Sequence, residues 1–143
     1  MLDSLPDTPP TPAEPVTIEL VRRDGDTLFA SGQVAMAGDT LVATGPVTDL
    51  DTARHCAWQC ARNLMAAVQA HTGSLDDVHA VKLTVYVASA PDFTDQHLVA
   101  HAASQLVLEV LGPERGRHAR AAIGVAALPL GSQVEVEGVF RAG

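Results

Sequence analysis

Two stretches near the C-terminus hold the residues of this 143-residue chain best suited to chemistry. The first is Gly116-Arg117-His118-Ala119-Arg120-Ala121-Ala122-Ile123-Gly124-Val125-Ala126-Ala127-Leu128-Pro129. Arg120 opens an apolar run of small side chains, and a guanidinium is costly to desolvate there unless an anion meets it. Its planar fork suits a carboxylate held by two parallel hydrogen bonds. Ala122 and Gly124 leave space for such a guest. The sequence leaves a second reading open, in which Arg120 sits at a strand mouth and pairs with a structural glutamate.

The second stretch is Gln133-Val134-Glu135-Val136-Glu137-Gly138-Val139-Phe140. Strand alternation puts Val134, Val136 and Phe140 on one face and both glutamates on the other. If the last two strands pair as an antiparallel hairpin, Glu135 falls opposite or close to Gly124, on the face of Arg120. A carboxylate beside a bound acid orients water or shuttles a proton. The plainer reading is a pair of solvated glutamates on an edge strand. Ser31-Gly32-Gln33 ends an early strand, where a small residue beside glycine lets a ligand approach the backbone.

Other candidates carry less. His97 and His101 are four apart on a helix, a zinc-compatible spacing, but Leu98 stands where a metalloprotease has glutamate and no third ligand is evident. Solvated helix histidines account for them. His118 lies beside the Arg120 run and is of more interest. Cys56 and Cys60, four apart in a helical pattern, read as reduced core thiols of a cytoplasmic protein. No G-x-G-x-x-G, phosphate loop, G-x-S-x-G or paired C-x-x-C is present, so no cofactor and no metal are expected.

The elements that must position these residues follow from periodicity. Met1–Pro15 carries five prolines and reads as an N-terminal arm, leaving residues 16–143 as one domain. Strands are expected at Val16–Arg23 and Thr27–Gln33 around Asp24-Gly25-Asp26, and at Thr40–Thr44. Asp51–Thr72 shows an apolar stripe at helical steps, with Asp49 or Asp51 to cap it and Gly73 to end it. Val78–Ala88 alternates, with Val81, Leu83, Val85 and Val87 on one face. A second helix over Thr94–Leu111 stops at Gly112-Pro113, and two strands follow, Arg120–Ala127 and Gln133–Arg141. Two helices on one face of a sheet make a two-layer α+β domain. The other face looks too apolar to be left in water.

Composition narrows the function classes. Hydrophobic residues make up 47% and aromatic ones only 3%, so the core is built of Val, Leu and Ala, and association with further copies would add burial. Nine Lys and Arg against seventeen Asp and Glu, a net charge of -8, disfavour a nucleic-acid partner. The opening MLDSLPD lacks a secretory pattern, and no apolar run suits a membrane span.

Ser31-Gly32-Gln33, Gly45-Pro46-Val47, Asp92-Phe93, the Arg120 run into Leu128-Pro129 and Val134-Glu135-Val136-Glu137 together resemble the YjgF/RidA family, also labelled L-PSP endoribonuclease. The likeness extends over Val16–Arg141, and the run from His118 to Pro129 is similar to a divergent branch of it. The resemblance implies a chorismate-mutase-like fold of the bacillus type, with a mixed sheet and two helices on one face. It also implies a homotrimer with ligand clefts between subunits. Arg120 would grip a substrate carboxylate, beside Ser31, Gly32, Ala122 and Ile18, and Glu135 would position the attacking water. The implied reaction converts reactive 2-imino or enamino acids to 2-keto acids and ammonia, as in 2-iminobutanoate/2-iminopropanoate deaminases. Ile18 stands where archetypal members carry tyrosine, and Ala122 where they carry cysteine. Those departures suit an alternative, a non-catalytic trimeric protein that binds or senses small carboxylates. The ribonuclease in the old label fits poorly with the acidic charge.

Overall fold

The computed structural model describes residues 2–143; Met1, the first residue assigned to the arm, lies outside them. A short 3-10 turn at Leu2–Ser4 leads into exposed chain without helix or strand as far as Leu20. Strand β1 (Val21–Asp24) then turns through Gly25, at φ 59°, into β2 (Thr27–Val34). The expected strand from Val16 forms only in its last part. At Ser31–Gly32 the β2 ladder slips register against the neighbouring strand, between Ala30 and Gln33. There the Ser31 N–H donates to Leu20 O at 2.9 Å and its Oγ to Glu19 O at 2.6 Å, so a bulge rather than a ladder holds the incoming chain. The next expected strand is a small hairpin, β3 (Met36–Ala37) and β4 (Thr40–Leu41).

Helix α1 (Leu50–Thr72) starts and stops on local signals. Asp49 Oδ2 accepts from the Thr52 N–H at 2.9 Å and from Thr52 Oγ1 at 2.5 Å, which satisfies an N-terminal donor. Gly73, at φ 80°, closes the other end by donating to Gln69 O. The stripe Ala53, Cys56, Ala57, Cys60, Ala61, Leu64, Met65 and Val68 is buried, as its spacing predicts. Both cysteines are free and fully buried within it.

The long strand β5 (Val78–Ala88) precedes helix α2 (Gln96–Arg115), which breaks at Gly112 (φ 86°) before Pro113 and continues for one more turn. Strands β6 (Ala119–Val125) and β7 (Val134–Ala142) complete the chain. The main sheet runs β1-β2-β7-β5-β6, antiparallel except for β5 beside β6. It is a mixed sheet with both helices on one face, and the fold is α+β.

The expected β6–β7 hairpin does not exist. Strand β5 lies between the two, pairing Leu83 with Arg120 on one side and with Gly138 on the other. A helical crossover returns the chain parallel to the strand it left, so α2 lays β6 on the outer side of β5. The inner side goes to β7, whose Val134, Val136 and Phe140 are fully buried there. Val81 also departs from expectation. It stands at a register shift between Ala80 and Lys82 and is 46% exposed, while Leu83, Val85 and Val87 fill the core.

Candidate functional site

The sheet register sorts the candidate residues into two groups. Glu135 pairs with Tyr86 and Glu137 with Thr84, all on the face away from the helices. Arg120 pairs with Leu83 and Ala122 with Val85, on the face the helices cover. Arg120 and Glu135 are therefore on opposite faces, with β5 between their strands, a lateral separation of about 10 Å for two strand spacings. One subunit cannot present both to one small acid.

On the open face, Glu135 is half-buried and its carboxylate accepts no hydrogen bond among the described residues. It lies against Gly32, where a Cβ would overlap its Oε1 and stand 3.0 Å from its Cδ. The bulge in β2 thus opens the space that the carboxylate fills. Burial raises the pKa of Glu135, and the charge of Glu137 adds to the rise. Glu137 instead accepts a 2.7 Å hydrogen bond from Tyr86 Oη, which pushes the phenol up to about 12, with burial contributing. Beside them a groove of about 380 Å³ is lined by Arg22, Phe29, Ser31, Lys82, Thr84 and Glu137.

On the helix face, Arg120 meets only neutral acceptors. Its Nη1 donates to Ser104 Oγ and to His101 Nδ1, each at 3.1 Å, and its Nη2 reaches His97 O at 3.5 Å. No carboxylate lies within ion-pair range of it among the described residues, so the reading with a structural glutamate partner is not met within the chain. Burial lowers its pKa from the usual value. His118 adjoins the group through Ser104 Oγ at 2.8 Å and Gly116 O at 2.6 Å. Ala122 packs on the core, and Gln96 fills the space beside Gly124, where a Cβ would stand 2.8 Å from its Nε2. Ile18 is 69% exposed in the segment that Ser31 anchors.

Sequence reasoning missed Ser104, His101 and Tyr86 as members of these groups. The spacing of His97, His101 and Ser104 along one side of α2 was the available signal, together with the alternation of Lys82, Thr84 and Tyr86. His97 and His101 stack edge to face, with ring centroids 6.1 Å apart. No cluster of three or more His, Cys, Asp or Glu that suits a metal occurs among the described residues. Nor is any described helix long and apolar enough to cross a membrane.

Residues 12–141 match the family model for Endoribonuclease L-PSP. The chain belongs to this family, the YjgF/RidA family. Within it, the chain is 51% identical over 83 residues to Protein TCP17 of Trypanosoma cruzi, a match over 57% of this chain that spans about half (52%) of the relative's length. The crystal structure of protein Atu1372 from Agrobacterium tumefaciens, described as of unknown function, superposes with a TM-score of 0.83. It is 39% identical, over 86% of this chain and 81% of that one. RidA from an Antarctic Psychrobacter is 26% identical with a TM-score of 0.58, over 91% of this chain and 92% of that one.

Proposed function

We propose that this L-PSP family member is a hydrolytic deaminase of reactive 2-imino and enamino acids, acting in clefts between the subunits of a homotrimer. The observation that carries the reading is the separation of its two candidate groups. An arginine without an acidic partner lies at the edge strand β6, and a bare carboxylate of raised pKa lies on the open face. A cleft that uses both draws Arg120 from one copy and Glu135 from the next. The exposed edge strand β6 and the open-face apolar side chains Phe29 and Ile123, 49% and 41% exposed, support association. In that cleft Arg120 binds the substrate carboxylate, and Ser31 and Gly32 shape the approach. Ile18 and Ala122 contribute apolar walls, with no hydroxyl or thiol.

The chemistry is a hydration. Glu135 accepts a proton from water as the oxygen attacks the imine carbon, and the C=N bond becomes a C–N single bond. Glu135 returns that proton to nitrogen, the proton of the added hydroxyl follows through the same carboxylate, the C–N bond breaks, and ammonia leaves as the C=O bond of the 2-keto acid forms. A carboxyl of raised pKa suits both the acceptance and the return of the proton. Fixing substrate and water together removes much of the remaining barrier.

Subunit complementation tests the reading. Arg120→Ala and Glu135→Gln homotrimers should each be inactive in a lactate dehydrogenase-coupled assay of imines generated from amino acids. Co-refolded, they should recover about a quarter of the wild-type rate by random assortment in a three-fold ring. No recovery from hybrid trimers would overturn the shared cleft.

The apolar residues Ile18 and Ala122 favour a second reading, a trimeric carboxylate-binding or sensor protein without turnover. It would show thermal stabilisation by 2-keto acids, which bind the folded state alone, and no deaminase activity.

A further inference from the structure

Hydrogen-bond polarity around Arg120 is constrained by its obligate donors and acceptors. A guanidinium only donates, so His101 Nδ1 must accept from Nη1, which leaves His101 neutral with its proton on Nε2. A carbonyl only accepts, so His118 donates from Nδ1 to Gly116 O. When the ring carries that one proton, its Nε2 accepts from the Ser104 hydroxyl. That hydroxyl, its proton directed at His118, presents its lone pairs to Arg120 Nη1. Both hydrogens of Nη1 are consequently taken up by α2. Nη2 directs one hydrogen to His97 O at 3.5 Å, and the edge formed by Nε and Nη2 keeps its remaining N–H groups, the geometry for a side-on, two-bond grip on a carboxylate.

We propose that Ser104, oriented by His118, and neutral His101 are positioning residues that latch Nη1 of Arg120 to α2, so that an acid is taken on the Nε–Nη2 edge and the latch opens when His101 gains a proton. As a statement about substrate binding this depends on the deaminase reading; as a statement about Arg120 it does not. A protonated His101 would aim Nδ1–H at Nη1–H, replacing an acceptor with a second cation. The groups facing His101 all push in that direction. Burial is the largest influence against its charged form, and Arg120 on β6, His97 one turn away on α2 and Arg54 on α1 add to it. No carboxylate in the network offsets them. The latch therefore holds above the ordinary histidine range and fails as pH falls through the lowered pKa of His101.

The test is made on the whole protein. Nitrogen-15 NMR of the Arg120 side chain should show distinct, slowly exchanging Nη1 and Nη2 signals at neutral pH. They should coalesce on acidification in wild type, and at neutral pH in Ser104→Ala. Ser104→Thr should restore slow exchange, and His101→Asn, whose side-chain oxygen accepts but does not titrate, should abolish the pH dependence. Free rotation in neutral wild type, or a pH profile unchanged in His101→Asn, would overturn the latch. Calorimetry with pyruvate gives the second arm. Wild-type affinity should fall at least 5-fold on acidification while His101→Asn stays flat, and a wild-type profile as flat as that of His101→Asn overturns the coupling to binding. Slow Nη exchange with no pyruvate binding at any pH would establish the latch and defeat the deaminase reading.

Discussion

Gly32 lies so close to the Glu135 carboxylate that a Cβ at position 32 would overlap Oε1. The overlapping atom is the far end of a flexible side chain, so Gly32→Ala leaves the fold a simple escape, rotation of Glu135 away from the bulge. The expected outcome is a thermal midpoint within a few degrees of wild type and a loss in kcat/KM of about 100-fold, the scale of a displaced general base. Activity assays and thermal unfolding of the one variant check it. A large fall in stability with activity kept would mean that the carboxylate and the bulge are not coupled in this way.

Glu135 should also report itself through pH. Its pKa is raised in the folded protein, so folding favours its neutral form. That contribution is fully present below the unfolded value, about 4.3, and is lost as pH rises through the raised folded pKa. Glu135→Gln removes the cost of the ionised form. The variant should melt above wild type at about pH 8, and the difference should shrink to nothing near pH 4, where both side chains are neutral. Unfolding scans across that range measure it; a difference of constant size would show that charge is not the cause.

How much of this was legible in the sequence depends on whether the deciding interaction is local. Helix α1 was, because its apolar stripe, Asp49 cap and Gly73 stop all lie within the segment they define. Alternation also placed Arg120 with Ala122 and Gly124, and Glu135 with Glu137. What it could not supply was the partner of each strand. A strand shows the same alternation whether β7 pairs with β6 or with β5, and only the α2 crossover separates these cases. The misplaced hairpin put Arg120 and Glu135 on one face of one subunit. The meeting of Arg120 with Ser104 and His101 was invisible for the same reason, since residues 16 and 19 positions away join only after α2 folds back over β6.

The single tyrosine of the chain makes the open face accessible to a direct titration. Tyr86 donates to Glu137, and that bond pushes its phenol up to about 12. Ultraviolet difference titration should find that value in wild type. In Glu137→Gln the acceptor remains but the negative charge is gone, so the titration should move down toward the ordinary value of about 10. An unshifted phenol in wild type would mean that Tyr86 and Glu137 are apart in solution.

Gly138 supports the Arg120 row from the core side. It shares a row with Leu83 and Arg120, and the Cβ it lacks would stand 2.7 Å from Phe140 Cε2 and 3.1 Å from Leu83 Cδ2. Phe140 and Leu83 are fully buried, so neither ring nor methyl has open space to enter. Gly138→Ala should therefore overpack the core and cost about 1–3 kcal/mol in denaturant unfolding, without change in the slope against denaturant. Because Leu83 pairs with Arg120 across β5 and β6, the strain is transmitted toward the arginine. Pyruvate affinity should weaken in Gly138→Ala although position 138 touches no proposed ligand, whereas a core truncation distant from this row, such as Val68→Ala on α1, should lower stability and leave affinity intact.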